Sequence, residues 1–312
     1  MPQPDSPNPP TATPGPAHEA PIGPSPSALE LLPPGQALSL QQIAEITRGQ
    51  YTPLVLLAGA VGSGKTTLLA SLQDCFHRGT FADFAFAGSK TTVALEEKCF
   101  DARVASGATV PTTLRTPHQM GQHFYHFRVS DLLDPGRIRE VLIEDMSGEF
   151  FERALESAEE TRELRTARRP DHVALLLDGE RLLRTAERTA VRSNGSMLVR
   201  RLLEEDLLQK HSRLDVLITK WDLIVGTPDG SLETDLESFV EPFFSHRYAD
   251  KLARVRVAKI SARPASGSRL PPAYNVDPLF RSWVSDPLVE LSRPIKQLGA
   301  CISRRMFDRF AN

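Results

Sequence analysis

Gly59-Ala60-Val61-Gly62-Ser63-Gly64-Lys65-Thr66, with Leu54-Val55-Leu56-Leu57-Ala58 before it and Leu68-Leu69-Ala70-Ser71-Leu72 after it, decides how this chain folds. The octet fits G-x-x-x-x-G-K-[ST], a loop whose backbone N–H groups cradle phosphate. The preceding apolar run is short enough to be a buried strand, and the following one continues as a helix. A strand, a glycine turn and a helix N-terminus in that order aim N–H donors and a helix dipole at one anion. The glycines allow the backbone to curl, since they accept positive φ and carry no Cβ.

Outward from this loop, apolar strands and helices alternate. The strands are His123–Ser130, Glu140–Glu144, His172–Leu177, Leu214–Thr219 and Val255–Ile260. Asp134-Pro135-Gly136 turns the first two into an antiparallel hairpin. Helices are expected over Leu38–Arg48, Thr66–His77, Phe150–Arg169 and Leu232–Phe244. Two more, Arg181–Val191 and Met197–Lys210, are separated by Ser193-Asn194-Gly195. Alternation of this kind predicts an α/β fold of the P-loop NTPase type, a three-layer α/β/α sandwich whose mostly parallel sheet has one antiparallel strand.

Residues 1–35 hold 12 of the 25 prolines and read as a disordered tail. Residues 36–312 read as one domain with a long irregular insertion at about 80–120 and a final amphipathic helix carrying Leu288, Leu291, Ile295, Leu298, Ile302, Met306 and Phe310. Within the insertion Val93-Ala94-Leu95 and Cys99-Phe100 read as short strands, and Thr109–Pro117 as loop.

Composition narrows the function. The net charge of −2 gives no electrostatic signature of nucleic-acid binding. No apolar run approaches the ~20 residues of a transmembrane helix. Cys75, Cys99 and Cys301 are scattered like reduced thiols, and the N-terminus has no signal-peptide pattern, so a cytoplasmic location is expected. His118, His123 and His126 lack cysteine or acidic company and read as ordinary strand or surface residues, and Trp221 and Trp283 as packing residues.

Three more motifs end strands in order: Asp145-Met146-Ser147-Gly148, Thr219-Lys220-Trp221-Asp222 and Ser261-Ala262-Arg263. Ligands of open α/β sheets bind at the carboxyl ends of the strands, so all three motifs are expected to converge on the loop. With the octet they match D-x-x-G, [NT]-K-x-D and S-A-[KLR], and from Leu54 to Arg263 the chain resembles the Ras-like, translation-factor-related (TRAFAC) P-loop GTPases. The Met-Ser-Gly-Glu variant and the long insertion look closer to bacterial double-GTPase-type proteins.

The resemblance implies a GTP-binding molecular switch that hydrolyses GTP to GDP with Mg²⁺, and the departure from the family pattern at Glu149 predicts slow intrinsic turnover. Gly59, Val61, Gly62, Ser63, Gly64, Lys65, Thr66 and Thr67 would bind phosphate. Thr66 and Asp145 would hold Mg²⁺. Lys65, Gly148 and Glu149 would serve the hydrolytic step. Asp222 would read guanine, Lys220 would lie along the base and brace the P-loop, and Ser261 and Ala262 would complete the base site. Glu149 stands where many relatives have Gln, and Val61 where Ras proper has Gly. Both departures motivate an alternative, a nucleotide-bound pseudo-GTPase scaffold; a P-loop ATPase or small-molecule kinase is a third reading, opposed by Lys220 and Asp222. The switch threonine is left open among Thr112, Thr113, Thr116, Thr91 and Thr92, and Arg115 is either a cis arginine finger or a solvated loop residue. An unknown protein effector or regulator and a nucleotide-dependent dimer are the implied partners.

Overall fold

A computed structural model of the chain describes residues 35–104, 123–145, 147–157, 170–227 and 231–285. The Pro-rich tail, the threonines at 112, 113 and 116, Arg115, His118 and the final helix lie outside them.

Among the described residues seven strands form one sheet. They are β1 (Leu54–Ala58), β2 (Phe84–Gly88), β3 (Phe124–Asp131), β4 (Ile138–Asp145), β5 (His172–Asp178), β6 (Arg213–Thr219) and β7 (Arg254–Lys259). Their spatial order is β2-β3-β4-β1-β5-β6-β7. β4, β1, β5, β6 and β7 are mutually parallel, and β3 pairs antiparallel with both β2 and β4. β3 alone therefore runs against the other strands.

Because side chains alternate along a strand, β1 builds two cores at once. Leu56 and Ala58 face the layer of α4 (Gly148–Glu156), α6 (Thr185–Glu204) and α8 (Leu232–Tyr248), meeting Phe151, Val199 and Phe244. Val55 and Leu57 face α2 (Lys65–His77), α3 (Thr92–Val104) and α9 (Asp277–Val284), meeting Leu68, Leu95 and Phe280. On the first of these faces α1 (Leu40–Gly49) sets Ile43 and Ile46 against Leu54, Phe124 and Leu142. Each fully buried Leu or Phe of these clusters contributes roughly 1.5–3 kcal/mol. Both α/β packing layers and the hairpin agree with the sequence reading.

Three expectations need correction. The insertion is not irregular throughout. Phe84–Gly88 adds an edge strand, and the two short strands expected at 93–95 and 99–100 are instead one helix, α3. Its buried Ala94, Leu95 and Cys99 recur at helical spacing, while Val93 and Phe100, whose side chains suggested strands, point to solvent. Ser193-Asn194-Gly195 does not divide two helices but sits within α6. A Cβ on Gly195 would lie 2.8 Å from Leu177 Cδ2. Here glycine lets the helix approach the sheet, and burial of Val191, Leu198, Val199 and Leu202 outweighs its ~1 kcal/mol propensity cost. Finally, α9 was not anticipated, although Asp277-Pro278 is a helix-start signature. It buries Trp283 completely, while Trp221 is 1% exposed; both are packing residues.

At the amino end of β6 the buried Asp215 carboxylate accepts from Arg256 Nε at 2.8 Å and from Trp283 Nε1 at 3.1 Å; His172 Nδ1 stands 3.9 Å away. Burial pushes this carboxyl up, but His172, Arg256 and Trp283 outweigh it and hold the group below its ordinary range. A depressed native pKa means stability that is present above the unfolded-state value and lost as pH falls through the native one. Asp215→Asn should therefore cost about 2 kcal/mol near neutral pH, and that deficit should shrink progressively as pH falls below ~4 towards the native value. Denaturant titrations of both proteins at pH 7 and pH 3 check it; an equal gap at both values would refute the assignment.

Candidate functional site

The carboxyl ends of β1, β4, β5, β6 and β7 all point the same way, and the sequence motifs sit on them. After β1 the chain enters the loop Gly59–Gly64. Gly62 and Gly64 adopt φ of +76° and +95°, the left-handed region that glycine alone enters freely. A Cβ on Gly62 would meet nothing within 4 Å, so the curl opens outward as a cradle. Lys65 Nζ turns back to donate to Gly59 O at 2.7 Å and Ala60 O at 3.0 Å. An ammonium has three N–H donors, so one remains. Lys65 is buried, which lowers its pKa, while Asp145, Glu149 and Glu152 oppose that shift. Thr66 and Thr67 begin α2, both half-buried.

Asp145 ends β4. Its Oδ2 accepts from Thr66 Oγ1 at 3.1 Å, and its buried Oδ1 has no hydrogen-bond partner among the described residues. Burial raises this carboxyl despite Lys98 and Lys65. Ser63 Oγ, inside the loop, is likewise buried and unpartnered. A buried carboxylate oxygen without a donor, beside a hydroxyl at a helix start, is a donor set that suits a hard divalent cation. Among the described residues no group of three His, Cys, Asp or Glu could hold a metal.

Gly148 presses on the loop, where a Cβ would come within 2.4 Å of Val61 N. No other residue fits there without moving backbone. Ser147 Oγ caps α4 by accepting from Phe150 N at 3.3 Å. Glu149 lies in the first turn, where the helix dipole favours acids. Glu152, one turn on, accepts from Val61 N at 3.3 Å. This contact was not foreseen, since nothing in a charged helix says which carboxylate meets the loop.

The β6 end joins the loop directly. Thr219 Oγ1 donates to Ser63 O at 2.9 Å, with Leu177 O at 3.2 Å as its other acceptor. Lys220, by contrast, does not brace the loop as expected. Its Nζ donates to Asp178 Oδ2 at 3.1 Å and Glu180 Oε2 at 3.0 Å, both supplied by the end of β5 and by α5 (Gly179–Leu183). Bracing falls to Thr219, because two carboxylates outcompete a carbonyl for the ammonium.

Asp222, in the five-residue α7 (Trp221–Val225), is 9% exposed. Its Oδ1 accepts from Ser261 Oγ and its Oδ2 from Ala265 N at 2.9 Å. A carboxylate has about four lone-pair sites, so acceptor capacity remains. Ala262 O accepts from Ser71 Oγ at 2.9 Å, and Arg263 pairs with Asp74, tying the loop after β7 to α2. The bond from Ala265 was not foreseen, because it depends on how the loop after β7 folds.

Two candidates for the switch threonine have structural duties instead. Thr91 is fully buried and its Oγ1 accepts from His126 N at 3.0 Å, while Thr92 Oγ1 donates to Ser89 O at 3.1 Å. Both fasten the start of α3.

Several solved structures are similar to this chain at low identity. The Chaetomium thermophilum signal recognition particle receptor SRb-GTP/SRX complex is 16% identical over 75% of this chain and 99% of that one, with a TM-score of 0.42. The Saccharomyces cerevisiae Ski7 GTPase-like domain bound to GTP is 14% identical over 80% and 53%, with a TM-score of 0.46. Elongation factor SelB from Methanococcus maripaludis, solved with GppNHp, is 13% identical over 77% and 35%, with a TM-score of 0.39. No curated protein sequence matches the chain. The profile of the Double-GTPase 2 family matches residues 54–284, from the first residue of β1 to the last of α9, and the chain therefore belongs to the Double-GTPase 2 family of P-loop GTPases.

Proposed function

We propose that this protein binds guanine nucleotide in the crevice between the Gly59–Gly64 loop and the Lys220–Asp222 turn, and hydrolyses GTP as a molecular switch. The observation that carries the reading is the Thr219 bond to Ser63 O, which couples the turn bearing Asp222 to the loop. Loop N–H groups and the third N–H of Lys65 meet phosphate oxygens, where a fixed cation in a buried site is worth more than in water. The Asp222 carboxylate accepts from the N1–H and 2-amino group of guanine; adenine leaves it unpaired, a costly mismatch in a buried site. Ser261 orients that carboxylate, and Ala262 contributes its backbone to the base site. Thr66 and Asp145 hold Mg²⁺, which when bound neutralises charge on the phosphates. Gly148, pressed against the loop, reports the presence of the last phosphate, and α4 moves with it.

Residues 36–312 act as one catalytic domain in this reading, in the cytoplasm, with a protein effector and a nucleotide-dependent dimer as its partners. A scaffold with little turnover is the second reading. Glu149 favours it, since a carboxylate near Lys65 faces a polyanion where a neutral group would orient water. Single-turnover assays separate the two. Release of phosphate from bound GTP over minutes to an hour, abolished by EDTA, is expected of the switch. Tight GTP binding with no release over many hours would establish the scaffold, and preference for ATP over GTP in competition would overturn both.

A further inference from the structure

We propose that Asp178 and Glu180 are positioning residues for nucleotide binding: they anchor the Lys220 ammonium so that the methylene stem of Lys220, and not its charge, is presented to the base. The inference rests on the guanine reading of the crevice and deepens it.

Four observations carry it. First, both carboxylates bond the same Nζ, at 3.1 and 3.0 Å, and neither belongs to a motif identified in the sequence. Second, Asp178 is itself held in place. It is 7% exposed, and its Oδ1 caps α5 by accepting from Glu180 N at 3.0 Å, leaving Oδ2 for the lysine. Third, the β5 and β6 ends touch through backbone. A Cβ on Gly179 would lie 2.1 Å from Thr219 O, so the Asp178–Glu180 turn and the Thr219–Asp222 turn cannot slide past each other. Fourth, Lys220 sits at φ +52°, a conformation that costs a residue with a Cβ roughly 1 kcal/mol and needs outside support. A lysine whose charge is met by two acids, one of them buried and held by its own cap, loses most of its stem's rotamer freedom before any ligand arrives. That leaves an ordered apolar edge beside Asp222, suited to one face of a planar base.

The test is calorimetric GTP binding by the full chain. Asp178→Asn/Glu180→Gln keeps the helix cap, because Asn caps as well as Asp, and removes both charges. It should bind GTP roughly five- to tenfold more weakly with melting temperature unchanged within a few degrees. Glu180→Gln alone, on a half-exposed side chain, should give part of that loss and serves if the double variant does not fold. The decisive measurement repeats the pair in a Lys220→Ala background. There the two substitutions should cost nothing further, since their route to the ligand is gone. Wild-type affinity in the double variant, or an undiminished additional loss on top of Lys220→Ala, would overturn the proposal; the second result would mean a merely structural role. A wild-type chain that binds no GTP would sink the crevice reading itself, and the proposal with it.

Discussion

Lys65→Ala is expected to weaken GTP binding by on the order of a thousandfold, beyond the range of an ordinary micromolar titration. The magnitude follows from where the ammonium sits. Lys65 is 6% exposed, and two of its three donors already bond Gly59 O and Ala60 O. Removing it deletes the buried cation of the cradle and frees two loop carbonyls that a phosphate would find repulsive. It also removes one positive charge facing Asp145, Glu149 and Glu152, the acids that act on Lys65. A fluorescent GTP analogue and circular dichroism together give the measurement. Retained affinity in a folded variant would mean that the loop is not the phosphate site.

Asp222→Asn is expected to change which base is bound, lowering GTP affinity by on the order of a hundredfold or more and admitting xanthosine triphosphate. The surroundings of Asp222 make the exchange structurally tolerable. The Asn carbonyl can still accept from Ala265 N, and its amide can donate to the Ser261 hydroxyl. What changes is the edge offered to the ligand. An amide donates to the 2-oxygen of xanthine, whereas the 2-amino group of guanine meets a second donor. Competition among GTP, XTP and ATP reads the switch. Unchanged base preference would remove Asp222 from the base site, and with it the reason to prefer guanine.

The local code was legible where a short motif demands one geometry. Gly62 and Gly64 need positive φ in any phosphate-cradling loop, and the apolar runs of β1, β5 and β6 are strands buried on both faces whatever their neighbours. Elsewhere the same residue types had two uses. Val93 and Phe100 look like strand residues, but spacing of Ala94, Leu95 and Cys99 against α2 and the sheet makes the segment helical. Gly195 looks like a break until Leu177 is seen beneath it. In both places burial across the chain overrode local preference, a contest that no window of sequence contains.

By itself the sequence determined the parallel core with its hairpin and the identity of the groups at the strand ends, because alternation and motif spacing depend on neighbours a few residues apart. Tertiary structure alone decided how those groups share their bonds. It gave the Lys220 ammonium to Asp178 and Glu180, the loop brace to Thr219, and the Val61 N–H to Glu152. Each of these partners lies 40 residues or more away along the chain. Hydrogen bonds over such separations depend on strand order and register, which are set by the packing of the whole sheet.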